Sequence, residues 1–168
     1  MNRYQLAKLV EWAGCLHTRK RLQKLVYMLQ SAGCPLDAEF TLHHYGPYAQ
    51  EVAALSDEMV RNELLVEVVG HNTRGQEYSY QLPESTKRQI SDLERSAQGR
   101  KWAAQIGPFE PLAKELLKTD LKQLEYASTI AFFRRQGLGW PTAVEKACVF
   151  KNTQAVRSAE PLTHKVIP

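Results

Sequence analysis

The sequence has few cysteines and no pattern that would pair them. Cys15, Cys34 and Cys148 are an odd number, lie far apart and form no Cys-x-x-Cys motif. A disulfide framework needs an even set of cysteines, whereas free cysteine is among the most buried residue types. We therefore predict reduced thiols in the core of a cytoplasmic protein.

Long apolar runs are also absent. No stretch of the 168 residues approaches the roughly 18 consecutive apolar residues of a membrane span, and residues 1–8 lack the apolar region of a secretory signal. The hydrophobic fraction of 43% is nevertheless enough for a core. These features predict a soluble globular protein without a membrane partner.

The common motifs of catalysis and cofactor binding do not occur. Gly-x-Gly-x-x-Gly, Gly-x-x-x-x-Gly-Lys-Ser/Thr and Gly-x-Ser-x-Gly are all missing. The adjacent His43 and His44 would point to opposite faces of an extended segment, and Cys15 with His17 lacks a second pair at ligand spacing. We predict a non-enzymatic protein with no cofactor and no metal.

Charge is unevenly distributed along the chain. Residues 51–100 carry six Lys and Arg against nine Asp and Glu, the segments on either side are basic, and the formal net charge is +4. This distribution permits contact with nucleic acid but does not require it.

Apolar periodicity predicts a mainly α fold of the α+β class. Helices are expected at 4–13, 18–32 and 48–62, a short extended segment at 40–45, and strands at 63–69 and 78–82 around a turn at 70–76. Three helices followed by one hairpin is the order of a winged helix. Residues 1–83 are therefore predicted to form a winged-helix-like three-helix unit with a single short β-hairpin.

The second half, residues 84–168, is predicted to be a helical extension packed on that unit in one compact domain, because no Gly/Ser-rich linker separates the two. Helices are expected at 84–98, at 110–118 and from 120 to about 136, with breaks at Gly99 and Gly107. A capping box from Thr142 to Glu145 is expected to start the last helix, and the chain after Lys151 to be less regular.

Two motifs carry a resemblance to known proteins. The first, in the second predicted helix, is a basic residue followed by Leu, Gln, Lys and a later Tyr: Arg21, Leu22, Gln23, Lys24 and Tyr27. The second closes the extended segment: Tyr45, Gly46, Pro47 and Tyr48. Together with a weaker match at 124–133, they resemble the YwgA-like family of small prokaryotic proteins. More distantly, they are similar to the Panacea-type antitoxin domains, also described as phage-associated.

The resemblance covers residues 5–82 well and 120–151 weakly. It implies a winged-helix-like fold with added helices and a regulatory role, either DNA-associated control or neutralisation of a toxin. It brings no catalytic residues with it.

Four cations, Arg19, Lys20, Arg21 and Lys24, lie at the start of the second predicted helix. Cations at a helix N-terminus interact unfavourably with the helix macrodipole, and a phosphate or a partner's carboxylates would offset that repulsion. A solvated basic face is the alternative. Arg74, in the hairpin turn, is the other candidate contact, because Arg-bearing wing tips often meet phosphates; a plain solvent-exposed tip is again the alternative.

The Tyr-Gly-Pro-Tyr motif is predicted to be structural. We expect Gly46 to take a positive φ and Pro47 to preset the first turn of the third helix. Tyr45 and Tyr48 would then clamp the entrance of that helix against the core, and Tyr27 could hydrogen-bond the turn.

The third predicted helix has the wrong charge for a DNA reader. It carries Glu51, Asp57 and Glu58 with only Arg61 as a cation, and carboxylates are repelled by phosphates. Two hypotheses stay open: a DNA-associated transcriptional regulator, or an antitoxin or defence-associated adaptor that binds a protein partner. Homodimerisation is left open by both.

Overall fold

A computed structural model describes residues 1–72 and 75–167 of the chain. In these ranges the fold is mainly α, as predicted. The α-helices are α1 (Arg3–Ala13), α2 (Arg19–Ser31), α3 (Gln50–Arg61), α4 (Glu84–Glu94), α5 (Ala97–Ile106), α6 (Glu110–Lys118), α7 (Leu121–Arg135), α8 (Trp140–Lys151) and α9 (Glu160–Val166). Short 3-10 helices cover Gly107–Phe109 and Gln154–Ala159.

The strands form two small antiparallel sheets. They are β1 (Leu16–His17), β2 (Thr41–His43), β3 (Gly46–Tyr48), β4 (Val66–Asn72) and β5 (Gly75–Gln81). One sheet has the order β1-β5-β4, and the other is the β2–β3 hairpin.

The prediction of a single hairpin is wrong, since residues 41–48 form a second one. His43 pairs with Gly46, which leaves His44 and Tyr45 as the turn. The two strands have only three residues each, too short for an alternating pattern to reveal. In the longer hairpin, pairing extends to Asn72 and Gly75, so the seven-residue turn that we predicted at 70–76 is also wrong.

Side-chain caps explain where several helices begin. Asn2 and Gln5 form a capping box at α1, Thr18 accepts a hydrogen bond from the backbone N–H of Arg21 (3.0 Å), and Asp120 accepts from two backbone N–H groups at the start of α7. Each cap satisfies amides that have no partner within the helix. The caps Thr18 and Asp120 lie where two of the predicted helices were expected to begin, at residues 18 and 120.

Two helices, α2 and α7, form the centre of the molecule and contact each other. Residues 22–29 of α2 and 124–131 of α7 are buried without interruption, so all sides of both helices face protein. α6 packs on α1 and α2, and α9 packs on α2 and α7. The hydrophobic core therefore includes side chains from both halves of the chain.

Three predictions for the second half are wrong. Gly99 lies inside α5, where a Cβ would be 2.0 Å from the carbonyl oxygen of Leu93, so this glycine permits a tight α4–α5 corner. α8 begins at Trp140, before the predicted capping box, because Pro141 suits a first helical turn. Residues 154–166 are helical, because Val156, Ala159, Thr163 and Val166 are buried against the central helices.

Candidate functional site

The structure brings together the three segments that carry the resemblance. We call them the α2 motif (residues 18–27), the hairpin motif (residues 40–48) and the α7 motif (residues 124–133). β3 contacts both α2 and α7, and α2 contacts α7. The contacts among the three motifs define the candidate site.

Two glutamines of α2 form hydrogen bonds with the backbone on either side of the β2–β3 hairpin, at Ala38 before it and at Ala49 after it. The Gln23 side-chain amide donates to the carbonyl of Ala49 (3.0 Å) and accepts from its N–H (2.9 Å). Gln30, two turns later, makes the same pair of bonds with Ala38 (2.9 and 2.8 Å). Each amide replaces the strand partner that the backbone of Ala38 or Ala49 lacks.

Lys24 is buried between α2 and the hairpin, with 2% of its surface exposed. Its Nζ donates to the carbonyl oxygen of Pro47 at 2.6 Å. Burial and the nearby Lys151 and Lys20 cations outweigh the attraction of Glu125 and lower the pKa of Lys24 to about 7. A shifted amine at a cavity wall is typical of functional sites.

Gly46 lies where the hairpin packs against α7. Its φ of +91° confirms the predicted positive value. A Cβ at this position would lie 2.8 Å from Oγ1 of Thr129 and 3.5 Å from Nζ of Lys24. Glycine is thus required both by conformation and by space.

Glu125 is the buried acid of the site. Its carboxylate forms ion pairs with three lysines. The distances from a carboxylate oxygen to Nζ are 2.7 Å for Lys151, 3.3 Å for Lys20 and 3.5 Å for Lys122. Burial favours the neutral acid, but these cations outweigh it and lower the pKa of Glu125. Lys151 also donates to the carbonyl of His44 (3.0 Å), so the cluster ties α8 to the hairpin turn.

The two arginines of the predicted basic cluster are held by groups within the chain. Arg19 makes a two-pronged ion pair with Glu67 (2.9 and 3.2 Å) and lies 3.7 Å from Asp57. Arg21 donates to the carbonyls of Leu117 and Thr119 at the end of α6 (3.1 and 2.7 Å). All four cations of the predicted cluster therefore have intramolecular partners, and Lys24 does not belong to a solvated face.

The predicted clamp by the two tyrosines is wrong for Tyr45, which is 56% exposed. It lies in the hairpin turn, and the Nζ of Lys20 lies 3.7 Å from the centre of its ring. Pro47 lies in β3 and not in the first turn of α3, which begins at Gln50. Tyr27 meets the hairpin motif through an edge-to-face contact with Phe40 (4.8 Å).

A cavity of about 550 Å³ opens between the start of α2, the β2–β3 hairpin and α3. Its walls include the cationic side chains Arg19, Lys20 and Lys24, the rings of His43, His44, Tyr45 and Tyr48, and the acid Asp57. Of the other residues predicted to bind a partner, Arg21 lines a different depression beside α6, and Arg74 lies outside the described residues.

Reasoning from the sequence missed Glu125 and Lys151 as members of the site. Glu125 lies within the α7 motif, but nothing in that motif shows that its carboxylate is buried. Lys151 is a lysine at the end of a helix, a position at which cations are common. A signal for either would have required knowing that α7 and α8 pack behind the hairpin.

In the described part of the chain, no group of three or more His, Cys, Asp or Glu side chains is placed to hold a metal ion. Over the same residues, no helix is long and apolar enough to cross a membrane.

No protein-family model matches the chain. Over 81 residues it is 30% identical to the uncharacterized protein YwgA of Bacillus subtilis strain 168. The match covers 48% of this chain and 49% of the relative, so the chain spans about half the length of the protein it matches. This supports the resemblance to YwgA-like proteins, whereas the resemblance to Panacea-type domains is not confirmed.

Proposed function

We propose that the protein is a non-enzymatic regulatory binding protein of the winged-helix type, which acts through a protein partner as an antitoxin or a defence-associated adaptor does. The element order α1-β1-α2-β2-β3-α3-β4-β5, in which the β2–β3 hairpin is inserted between the second and third helices, and the sheet order β1-β5-β4 support the architecture. In this arrangement α3 takes the place of a recognition helix and the β4–β5 hairpin that of a wing.

The surface of α3 favours a protein over DNA. Glu51, Asp57 and Glu58 lie on this helix, and the nearby Arg19 is occupied by Asp57 and Glu67. Arg3 is likewise paired with Glu58. Phosphates approaching this helix would meet carboxylates and few unoccupied cations.

The exposed valines of β4 carry the proposal. β4 is an edge strand of the three-stranded sheet, and Val66, Val68 and Val69 on it are 43%, 46% and 47% exposed. An apolar edge strand can pair with a strand of another chain, and monomeric proteins usually protect such edges with charge.

The test is partner capture with a matched pair of surface variants. The tagged full chain would be co-expressed with the products of its neighbouring genes. Val68→Lys is expected to abolish capture, and Val149→Lys, which changes another exposed valine (72%) on α8, is expected to retain it. Absence of a specific partner for the unmodified chain, or capture unaffected by Val68→Lys, would contradict the proposal.

A second candidate is DNA-associated transcriptional regulation, favoured by the element order and a sequence pI of about 9.0. Fluorescence anisotropy with duplex DNA tests it. Binding is expected to weaken steeply with salt and on Arg74→Ala. Absence of bound DNA at low salt removes this candidate.

We place the protein in the cytoplasm, where a reducing environment suits its free thiols Cys15, Cys34 and Cys148. Homodimerisation, which the sequence left open, would use the exposed β4 edge in this proposal. Sedimentation of the unmodified chain beside Val68→Lys tests it.

A further inference from the structure

The cavity beside the hairpin has one cationic wall. Arg19, Lys20 and Lys24 reach it from the first two turns of α2. No acidic side chain lies in the first turn of this helix, whose macrodipole adds to the positive potential. Asp57 on the opposite wall is the one carboxylate among the described lining residues. Arg19 lies 3.7 Å from it and is also paired with Glu67, so Lys20 and Lys24 are the cations that this wall offers to a ligand.

Lys24 is a buried lysine that forms no ion pair with a described carboxylate. Glu125 pairs with Lys20, Lys122 and Lys151, and none of the ion pairs in the described part of the chain includes Lys24. A lysine ammonium has three donors, and the carbonyl of Pro47 accepts one of them. Because a charged ammonium at this depth is costly, the Lys24 amine releases its proton more readily than an exposed lysine does, unless an anion pairs with it.

The rim of the cavity is aromatic. The rings of His43 and Tyr48 lie 5.0 Å apart, and those of His44 and Tyr45 lie 4.9 Å apart. Tyr45 keeps more than half of its surface exposed, so one part of its ring is open for contact. A volume of about 550 Å³ is within the range of small-ligand sites, roughly 300–1,000 Å³.

We propose that this cavity binds a small phosphorylated compound that carries a flat ring, of the size of a mononucleotide. The phosphate lies beside Lys20 and Lys24, and the ring lies against the tyrosines of the hairpin. A phosphate suits this wall because it accepts bonds from several cations at once. The site goes beyond the proposed protein partner, and neither depends on the other.

Binding is coupled to protonation of Lys24. The groups that face its amine are Lys20 on the same helix, Glu125 on α7 and Lys151 on α8. The cavity adds His43 and His44 from the hairpin and Asp57 from α3. Because a phosphate raises the pKa of an adjacent amine, each bound ligand takes up a fraction of a proton near neutral pH.

Calorimetric titration of the full chain tests the site. Three probes are compared. Adenosine 5′-monophosphate carries both the phosphate and the flat ring, inorganic phosphate carries only the charge, and adenosine carries only the ring. The mononucleotide is expected to bind at least about tenfold more tightly than either part. Titration in two buffers of different ionisation enthalpy, above the second phosphate pKa of about 6, is expected to show proton uptake.

Variants assign the binding to these side chains. Lys24→Met is expected to weaken mononucleotide binding at least about tenfold and to remove the proton uptake, whereas Lys87→Met, a change of an exposed lysine on α4, leaves both unchanged. If Lys24→Met does not fold, Lys20→Met is expected to weaken binding and Tyr45→Ala to lower the preference for mononucleotide over phosphate. Absence of mononucleotide binding, or binding indifferent to these changes, overturns the proposal.

Discussion

Gly46 of the β2–β3 hairpin and Thr129 of α7 approach so closely that a methyl group on the glycine would lie 2.8 Å from the threonine hydroxyl. The contact joins two segments 83 positions apart in the sequence. It explains why glycine is needed at the first position of β3, because any side chain there would push the hairpin away from Thr129 and Lys24.

Gly46→Ala is expected to lower the free energy of unfolding by about 2–5 kcal/mol, because it combines an unfavourable positive φ with overpacking. Gly33→Ala is the matched control: its φ is +97°, but a Cβ there would meet nothing within 4 Å, so about 1–2 kcal/mol is expected. Denaturant unfolding measures both. Adding Thr129→Ala is expected to recover part of the loss at position 46, and equal losses at the two glycines would argue against the contact.

Gln23→Leu is expected to destabilise the fold by about 2–4 kcal/mol. The change leaves the buried N–H and carbonyl of Ala49 without their partner, at about 1–3 kcal/mol for each group. Gln30→Leu breaks the same pair of bonds at Ala38 in a less buried position and is expected to cost less. Chemical denaturation ranks the two, and the reverse order would show that Gln23 is not the main tether.

Long periodic segments of the fold could be predicted from the sequence. The observed bounds of α1, α2 and α6 agree with the predicted ranges to within about one residue. Short strands could not be predicted, because β1, β2 and β3 have only two or three residues and gain their partners through tertiary packing.

The candidate site could be predicted only in part. Gln23, Lys24 and Gly46 stood out as motif residues, and the structure brings them together. The partners of the cations could not be inferred, since Lys20 and Glu125 are 105 positions apart and charge alone does not specify a partner. The burial of α9 could not be predicted for the same reason, because it results from packing against α7 and α2.

Lys151→Met is expected to cost about 2–4 kcal/mol of stability, because it removes the closest cation of the buried Glu125 and the bond to the carbonyl of His44. Lys122→Met removes a 60% exposed partner of the same carboxylate at 3.5 Å, for which less than about 0.5 kcal/mol is expected. Thermal and urea unfolding of the two variants compare a buried with an exposed partner. Similar losses would contradict the burial argument.

The stability of the protein is expected to rise with pH between about 7 and 9 because of Lys24. Its folded-state pKa of about 7 lies below the ordinary value of 10.5, so in this window the unfolded chain binds more protons than the folded chain. The free energy of unfolding then increases with pH, with a slope approaching about 1.4 kcal/mol per pH unit for one group. Lys151, whose pKa is also lowered by burial, adds a slope of the same sign.

Lys24→Met is expected to flatten this pH dependence, and Lys87→Met to leave it unchanged. The measurement belongs below pH 9, because burial raises the pKa of the Cys34 thiol, ordinarily 9.0, and those of Tyr27 and Tyr80, ordinarily 10.0, to about 12. Above these ordinary values unfolding releases protons from the thiol and the tyrosines, so stability falls there and opposes the lysine effect. Urea titrations at intervals of half a pH unit separate the two ranges. An unchanged slope in Lys24→Met would mean that its amine remains charged in the folded protein.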